Sequence, residues 1–253
     1  MGRLTGRRAV ITGGANGIGR AIATAFAREG CDVFFTARAD EDAARSVRAE
    51  LREHGVRADY MLLDGADPDS ATRLLDTTAE TLGLADILVN NAGTATRTGF
   101  LDLTFEEYER VMAVNLRFPF FTTQAFAARL RAADTPGSVI NISSISATKA
   151  ISAMAHYQSS KAGLSMLTRS ASYELAPFGI RVNTISPGLT ATNANAVQWR
   201  DDPDLWRERG KDIPLGRTGN PEDLAGAAIF LASDESAWMT GGDIVVDGGE
   251  AAV

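Results

Sequence analysis

The feature that most constrains the fold of this chain is the alternation of short apolar runs with longer amphipathic segments. The apolar runs are Ala9–Thr12, Val33–Thr36, Tyr60–Leu63, Ile87–Val89, Val139–Ile142, Val182–Ile185 and Ile244–Val246. The segments with helical periodicity are Gly19–Arg28, Asp40–Glu53, Pro68–Leu82, Phe105–Ala132, Tyr157–Ala176 and Pro221–Ala232. Nearly continuous apolar runs are typical of strands buried on both faces. The alternation therefore predicts a seven-stranded parallel sheet with helices on both faces.

The alternation continues without a linker, a low-complexity tract or an internal repeat. We therefore expect a single α/β domain over residues 1–253, with a doubly wound, Rossmann-type fold. Pro119 inside Phe105–Ala132 predicts a kink in that helix. The stretch Leu189–Asp212 has no clean period and is rich in Asn, Asp and Trp. Because long irregular insertions are usually functional, we predict a substrate lid at about residues 189–212.

Charge and cysteine content argue against several classes of function. The chain has 25 basic and 32 acidic residues, a formal net charge of −7, and no long basic block. This balance disfavours binding to nucleic acid or to an anionic membrane. The single cysteine, Cys31, excludes an intrachain disulfide and is typical of a reducing compartment. Since no apolar run is long enough to cross a bilayer, we expect a cytoplasmic protein.

A glycine-rich turn joins the first predicted strand to the first predicted helix. Its sequence is Thr12-Gly13-Gly14-Ala15-Asn16-Gly17-Ile18-Gly19. Glycines let the backbone approach a pyrophosphate, and the helix N-terminus adds free N–H groups and a positive dipole. The spacing differs from the Gly-x-Gly-x-x-Gly pattern of other dinucleotide folds. The turn alone therefore leaves a phosphate-binding role and a purely structural role open.

Tyr157 and Lys161 are four residues apart in a predicted helix and so project from one face. A phenol has a reference pKa of about 10, and a nearby ammonium stabilises the phenolate and lowers that pKa. The chain contains 22 Arg but only three Lys, so a generic surface cation at this position would be expected to be Arg. The pair predicts a proton-transfer site, and a solvated surface pair is the alternative.

Ser143 and Ser144 end the fifth predicted strand, at the edge where parallel sheets bind ligands. A turn or cap role is the alternative for both serines. His156 lies beside Tyr157, but neither histidine has a Cys or His at ligand spacing, so we predict no metal site. The absence of a Gly-x-Ser-x-Gly elbow from the sequence disfavours serine-based hydrolysis.

Together these motifs resemble those of the short-chain dehydrogenase/reductase family over essentially the whole chain. The matching motifs are Thr12-Gly13, Gly17-Ile18-Gly19, Asn90-Asn91-Ala92-Gly93, Val114-Asn115-Leu116, Ser144, Tyr157-x3-Lys161, Pro187-Gly188 and Thr192. The resemblance implies a reversible alcohol–carbonyl oxidoreductase that uses a nicotinamide cofactor.

The resemblance also implies a role for each catalytic residue. Tyr157 exchanges the hydroxyl proton, and Ser144 hydrogen-bonds the substrate oxygen. Lys161 holds the nicotinamide ribose and lowers the pKa of Tyr157, while Asn115 links Lys161 to solvent through a bent helix and a water. The cofactor-binding residues that the resemblance implies are Gly13, Asn16, Gly17, Ile18, Gly19, Asp64, Asn91, Gly93, Tyr157, Lys161, Pro187, Gly188, Thr190 and Thr192.

Two positions depart from the family pattern. Gly65 stands where a branched apolar residue usually follows the adenine-contacting acid, here Asp64, so we expect a looser adenine site. Thr190 replaces the usual Val or Ile near the nicotinamide amide, a contact that its backbone still allows.

The end of the second strand predicts the cofactor. Folds that prefer NAD place an acid there to bind the ribose 2′-hydroxyl. In this chain that position is Ala37, followed by Arg38, whose guanidinium suits a 2′-phosphate. We therefore predict that NADP(H) is preferred over NAD(H), with a merely solvated Arg38 as the alternative.

The substrate is left open by the sequence. We expect a small secondary alcohol, such as a sugar, a polyol or a cyclic alcohol, with a 3-oxoacyl-thioester (acyl-carrier-protein) reductase as the alternative. A catalytically silent dinucleotide sensor is a second alternative, disfavoured because Ser144, Tyr157 and Lys161 are all kept. The candidate substrate contacts are His156, Asn193, Trp199 and Trp206.

The family resemblance further implies a homotetramer. The two long predicted helices carry apolar residues beyond one narrow stripe, and these are Phe118, Phe120, Phe121, Met166 and Leu167. Packing of all of these residues on the chain's own sheet is the alternative.

Overall fold

The computed structural model describes residues 2–252, so Met1 and Val253, the ends of the predicted domain, lie outside the described residues. Within this range, seven parallel strands form one sheet in the order β3-β2-β1-β4-β5-β6-β7. The strands are β1 (Arg8–Ile11), β2 (Asp32–Ala37), β3 (Ala58–Leu62), β4 (Ile87–Asn90), β5 (Gly137–Ile142), β6 (Ile180–Pro187) and β7 (Asp243–Val246). The predicted sheet is thus confirmed, and its order reverses between β1 and β4, where open α/β sheets bind ligands.

Helices cover both faces of the sheet. They are α1 (Gly17–Arg28), α2 (Glu41–Arg52), α3 (Ser70–Leu82), α4 (Phe105–Met112), α5 (Phe118–Ala132), α6 (Ala155–Leu175), α7 (Ala196–Arg200), α8 (Pro203–Lys211) and α9 (Ala225–Ala232). Two apolar cores result, one beneath α1, α2 and α9 and one beneath α3 and α5. Neighbouring residues of a strand point to opposite faces, so Phe35 belongs to the first core and Phe34 to the second.

The prediction that every strand is buried on both faces is wrong for the two edges. In β7 the residues alternate between exposed and half-buried, and Val245 is 52% exposed. In β3 only Ala58 is buried. An edge strand has one neighbour instead of two, so helices packed over the sheet cover it less completely.

The long helix predicted around Pro119 is broken, as expected. Helix α4 passes into a π-helical turn, Ala113–Arg117, before α5 begins. In this turn the Phe118 N–H donates to the Ala113 carbonyl, five residues back. Pro119 has no N–H, and its ring conflicts with the carbonyl four residues earlier, that of Asn115. The wide turn resolves this conflict and places Asn115 at the bend.

None of the helices within residues 2–252 combines the length and the apolar character that a membrane-spanning helix requires.

Candidate active site

Four chain segments meet at the carboxyl edge of the sheet. The glycine turn follows β1, Asn91-Ala92-Gly93 follows β4, Ser143-Ser144 follows β5, and Gly188 follows β6. Helix α6 starts beside the third of these segments and carries the Tyr–Lys pair. The structure therefore brings the sequence-predicted catalytic residues to one edge, as the order of strands requires.

Lys161 is a buried cation held by the main chain. Its side chain is 4% exposed, and its Nζ donates a hydrogen bond of 2.7 Å to the Ile142 carbonyl. Burial lowers the pKa of Lys161 to about 8. A Cβ built on Gly93 would lie 3.7 Å from Lys161 Nζ and 3.6 Å from Asn115 Oδ1, which is ordinary van der Waals contact, so both polar groups border position 93.

Tyr157 differs from the expectation. Burial raises the pKa of its phenol above the ordinary value, and a hydrogen bond with Ser144 acts in the opposite direction. The predicted lowering of the Tyr157 pKa by Lys161 is therefore wrong for the protein by itself. The reason is geometric, because Lys161 Nζ is bonded to Ile142 and lies 5.8 Å from the centroid of the Tyr157 ring.

The two serines after β5 have separate tasks. Ser144 Oγ accepts a hydrogen bond of 3.1 Å from the Ser146 N–H and so starts a short 3₁₀ turn, Ile145–Ala147. Ser143 Oγ donates to the Lys161 carbonyl at 3.0 Å and lies 2.9 Å from Ser165 Oγ. Ser143 thus ties β5 to α6, while Ser144 is the serine that interacts with Tyr157.

Asn115 is fully buried and locked by three hydrogen bonds. Its Oδ1 accepts from the Thr94 N–H at 2.8 Å, and its Nδ2 donates to the Thr94 carbonyl at 2.9 Å and to Ser160 Oγ at 3.0 Å. Ser160 Oγ in turn donates to the Tyr157 carbonyl at 2.6 Å. The bent helix, the loop after β4 and α6 are therefore joined through the Asn115 carboxamide. The water link from Asn115 to Lys161 stays a prediction.

The glycine turn fits a dinucleotide pyrophosphate. Gly13 and Gly17 have φ angles of +69° and +53°, a region that favours glycine. A Cβ on Gly19 would lie 2.3 Å from the Gly13 carbonyl oxygen, so only glycine permits this close packing. The Asn16 side chain makes no capping hydrogen bond to α1, and Ile18 follows Gly17 in the first turn of that helix. The first N–H groups of α1 therefore remain available to an anion.

Asn91 and Thr12 hold this turn in place. Thr12 Oγ1 accepts hydrogen bonds of 2.9 Å from the N–H groups of Asn91 and Ala92. Asn91 Nδ2 donates to the carbonyls of Thr12 and Gly13, at 2.9 and 3.1 Å. The side chain of Asn91, a predicted cofactor contact, therefore braces the glycine turn. Thr12 has a structural role that its place at the start of the glycine motif did not predict.

The predicted adenine side shows two further contacts that the sequence analysis missed. Arg110 Nη1 lies 2.9 Å from both carboxylate oxygens of Asp64. A Cβ on Gly65 would lie 2.7 Å from Cδ1 of Phe118, so the Phe118 ring occupies the space of the missing side chain. This packing corrects the expectation of a looser site. It also buries Phe118, which therefore does not belong to the exposed apolar residues expected at a subunit contact.

A buried polar row supports the site from below. Asn90 Nδ2 donates to Asn141 Oδ1, Asn141 Nδ2 donates to Thr168 Oγ1, and Thr184 Oγ1 donates to Thr168 Oγ1, each at 2.8 Å. These bonds connect β4, β5, β6 and α6 in the interior. In the sequence, the only sign of these bonds is that polar residues interrupt nearly apolar strand segments.

The predicted lid begins where β6 ends. The Gly188 N–H donates to the Val246 carbonyl at 3.1 Å, beyond Pro187, and Thr190 pairs with Gly219 in an isolated parallel bridge. Asn195 Nδ2 donates to the Thr190 carbonyl at 2.9 Å. These bonds tie the start of the predicted lid to β7 and to the chain at Gly219.

The side chains of Asn195 and Trp199 hydrogen-bond to the backbone at the start of the predicted lid. Asn195 Oδ1 accepts from the Thr192 N–H at 2.8 Å, and Trp199 Nε1 donates to the Thr192 carbonyl at 2.9 Å. We define Thr190, Thr192, Asn195 and Trp199 as the lid latch. Both ends of the Asn195 carboxamide are therefore engaged within the latch.

Trp199 and Trp206, two of the candidate substrate contacts, lie in different helices. Trp199 lies in α7 and Trp206 in α8, because Asp202 Oδ1 caps α8 by accepting from the Leu205 N–H. Each ring lies beneath an arginine, with the guanidinium of Arg200 4.8 Å from the Trp199 ring centroid. For Trp206 the corresponding distance, to Arg209, is 5.8 Å. Asn193 is exposed, and its Oδ1 accepts from Arg200 at 3.3 Å.

His156 is 2% exposed and faces a loop rather than open space. Its Nε2 lies 2.8 Å from Thr96 Oγ1, and the next loop residue but one, Thr98, bonds to Glu107 at 2.9 Å. The Thr98 N–H also donates to the Ala153 carbonyl at 3.0 Å. These bonds fix the loop after β4 against the start of α6. The predicted substrate contact of His156 is not supported by this burial.

No group of three or more His, Cys, Asp or Glu side chains arranged to hold a metal ion occurs within the described part of the chain.

Comparison with known proteins adds the family context. A family model described as enoyl-(acyl carrier protein) reductase matches residues 13–250. The chain is 38% identical over 249 residues to an L-rhamnose 1-dehydrogenase (NAD(P)(+)) of Azotobacter vinelandii, with 97% of each chain covered. It is 35% identical over 249 residues to a cyclopentanol dehydrogenase of Comamonas, with 98% of each chain covered.

A solved structure is similar over the same range. It is described as a 2-deoxy-D-gluconate 3-dehydrogenase from Agrobacterium tumefaciens with bound NADP. The two chains are 37% identical and superimpose with a TM-score of 0.89, covering 99% of this chain and 98% of the other.

Proposed function

The chain belongs to the short-chain dehydrogenase/reductase family, and we propose that it interconverts a secondary alcohol of a sugar, polyol or small cyclic compound with the corresponding carbonyl. It is an NAD(P)-dependent oxidoreductase. The observation that carries the proposal is the convergence of Ser144, Tyr157 and Lys161 beside a glycine turn suited to a pyrophosphate.

Tyr157 and Ser144 act on the substrate oxygen. In carbonyl reduction the Tyr157 phenol donates its proton to the oxygen, and in alcohol oxidation the phenolate removes it. Ser144, already in contact with Tyr157, donates a hydrogen bond to the same oxygen as negative charge develops. The nicotinamide, when bound, supplies or accepts the hydride at the adjacent carbon.

Lys161 and Asn115 organise the site behind these two groups. The Lys161 ammonium, with a pKa of about 8, is partly able to exchange its proton near neutral pH. Its Nζ and Asn115 Oδ1 border the same face of Gly93, which supports a proton route from Tyr157 past Lys161. Asn115 keeps the loop after β4 in contact with α6, so it positions the route rather than the substrate.

The residues proposed to hold the cofactor line the same edge. The N–H groups at Asn16, Gly17, Ile18 and Gly19 would hold the pyrophosphate, and Asp64 would hold the adenine amino group. Thr190 and Thr192, with Pro187 and Gly188 before them, support the nicotinamide end. A preference for NADP(H) is supported by the exposed Arg38 directly after β2 and by the NADP bound in the similar deoxygluconate dehydrogenase.

A small free substrate is favoured over a carrier-bound thioester. The relatives named for rhamnose, cyclopentanol and deoxygluconate act on small alcohols, according to their names. A surface for an acidic carrier protein requires unpaired cations. In and after the lid, three cations are paired with carboxylates, Arg207–Asp204, Lys211–Glu208 and Arg217–Asp223. The other two, Arg200 and Arg209, hydrogen-bond to the side chains of Asn193 and Gln198. A silent dinucleotide sensor is disfavoured because Tyr157 and Lys161 are both retained although burying them costs desolvation energy, and a sensor would not need them.

Residues 2–252 are proposed to act as one domain, with residues 189–212 closing over the substrate to exclude water. We further propose a homotetramer, supported by the exposed side chains of Phe120, Phe121 and Met166 on α5 and α6. Sedimentation of a 26.8 kDa monomer at micromolar concentration would contradict it. A cytoplasmic location is supported by the single free and buried thiol, Cys31.

The proposed function is tested by an activity screen with NADP⁺ and NAD⁺ across aldoses, polyols, cyclic alcohols and 3-hydroxyacyl thioesters. We expect the highest kcat/KM with NADP⁺ and one of the first three classes. A kcat/KM that is highest for the thioesters would establish the alternative, and no turnover with any class while the cofactor still binds would establish the sensor.

A further inference from the structure

Arg38 and Asp64 leave the sheet side by side. In the pairing of β2 with β3, Ala37 lies opposite Leu62, and the Leu63 N–H donates to the Ala37 carbonyl at 2.8 Å. Arg38 and Asp64 come just after these paired residues, at the same edge. Since neighbouring strands are about 4.8 Å apart, the two oppositely charged side chains lie within reach of each other.

Even so, the two side chains do not form an ion pair. Asp64 is bonded to Arg110 of α4, whose Nη1 is 2.9 Å from each carboxylate oxygen, and to the Ala66 N–H at 2.9 Å. Partial burial opposes ionisation of Asp64, but Arg110, and more weakly Arg38, hold its pKa below the ordinary value. Arg38 itself is exposed and makes no ion pair within 4 Å among residues 2–252.

The other carboxylates near Arg38 are also engaged. Asp40 Oδ1 accepts from the Ala43 N–H at 3.0 Å and caps α2. Glu41 and Asp42 pair with Arg45, at 3.6 and 3.3 Å. Each of these three acids therefore has a partner other than Arg38. Asp64 is the one whose partner comes from a distant part of the chain.

We propose that Arg110 is a specificity-determining residue that keeps Arg38 available for the 2′-phosphate of NADP(H). By neutralising Asp64, it removes the carboxylate that would otherwise compete for the Arg38 guanidinium and repel the phosphate. The inference rests on the proposed preference for NADP(H), which it explains through a residue far from the second strand in sequence. Arg110 acts through Asp64 and does not touch the phosphate.

The test measures the binding of 2′,5′-ADP and of 5′-AMP to the full chain by titration calorimetry. These fragments differ by the 2′-phosphate alone, so the ratio of their affinities reports on that group without any turnover. For Arg110→Ala we expect this ratio to fall about fivefold to tenfold, the range for losing one charge interaction at a partly exposed site. An unchanged ratio in Arg110→Ala would overturn the inference.

Two control variants separate this effect from general loss of charge or of structure. Arg117→Ala also removes a cation beside the turn after β3, but Arg117 bonds to the Ala66 carbonyl, at 2.6 Å, and not to Asp64. We expect its ratio to stay within about twofold of the original chain. In the double variant Arg110→Ala/Asp64→Asn no freed carboxylate remains, so the ratio of the two affinities should return to that of the original chain. An equal loss in Arg117→Ala, or no recovery in the double variant, would overturn the inference.

The proposed cofactor preference is tested separately in the same titrations. If the original chain binds both fragments equally, or if Arg38→Ala leaves the ratio unchanged, the preference for NADP(H) fails and this inference fails with it. If Arg38→Ala lowers the ratio and Arg110→Ala does not, only the role of Arg110 is wrong.

Discussion

The proposed catalytic wall and the predicted lid differ in burial and in the elements that form them. The catalytic wall, which we define as Asn115, Ser144, Tyr157 and Lys161, rests on β5, α6 and the bent helix, and Asn115 and Lys161 are almost completely buried. The lid, Leu189–Asp212, consists of short helices with exposed apolar residues such as Val197 and Leu205. Proton transfer requires fixed distances, whereas substrate exchange requires a segment that opens at low cost. The comparison predicts that changes in the wall abolish turnover, while changes in the lid alter binding.

The strongest test of the wall is Tyr157→Phe, which keeps the ring and removes the exchangeable proton. We expect kcat to fall by roughly 10²–10⁴-fold, the usual range for loss of a general acid–base group. Steady-state kinetics gives the rate, and cofactor binding by titration shows that the site remains intact. Retention of more than about a tenth of the original turnover with cofactor bound would show that another group transfers the proton.

The second prediction concerns the effect of the buried Lys161 ammonium on the free energy of unfolding. Its pKa is about 8 when folded and 10.5 ordinarily, so between these values the folded chain binds fewer protons than the unfolded chain. The free energy of unfolding of the original chain should therefore rise with pH across this window. Relative to Lys161→Met, which lacks the titrating group, the rise should total about 3 kcal/mol.

Chemical denaturation of both proteins at intervals from pH 7 to pH 10.5 measures this difference. The comparison cancels the other titrating groups, which the two chains share. A stability difference that stays constant over the series, or that changes in the opposite direction, would contradict a buried ammonium at this position.

The lid latch should show a smaller effect, expressed in binding. Trp199→Phe keeps an aromatic ring but removes the N–H that bonds to Thr192, and Asn195→Ala removes the bonds to Thr190 and Thr192. We expect KM for the cofactor to rise about fivefold for loss of one such bond, with kcat changed less. If instead kcat falls and KM is unchanged, the segment takes part in chemistry, and the contrast with the wall is lost.

The smallest effects should come from the outer lid. Asn193 is exposed, and Trp206 lies in α8 beneath Arg209. For Asn193→Ala and Trp206→Ala we expect relative kcat/KM values among aldoses, polyols and cyclic alcohols to change by about twofold or less, as for surface positions. A shift of tenfold or more in the order of substrates would restore the original hypothesis that these two side chains select the substrate.

Local sequence was sufficient wherever the signal lies within one element. The apolar runs predicted the strands because a strand that is buried on both faces must consist almost entirely of apolar residues. Pro119 predicted the bend because proline has no N–H, so the helical hydrogen bond at that position is lost whatever surrounds it. The Tyr157–Lys161 spacing gave a shared helix face because helical geometry alone fixes it.

Contacts between elements were decided by the tertiary structure. Gly65 is explained by a ring 53 positions later in the chain, Phe118, and Asp64 by Arg110, and neither partner is marked in the local pattern. The same holds for His156, which was expected to meet substrate and is buried against Thr96.

By itself, then, the amino-acid order determined the parallel sheet, the glycine turn after the first strand and the placement of Tyr157 and Lys161 on one helix face, since these depend on periodicity, chirality and short spacings. Only the tertiary structure decided the electrostatic state of those residues. Lys161 Nζ donates to the Ile142 carbonyl and lies 5.8 Å from the centroid of the Tyr157 ring, and burial moves the pKa values of Lys161 and Tyr157 in opposite directions. Desolvation depends on everything packed around a charge, and the packing of distant segments is not written in any local stretch of sequence.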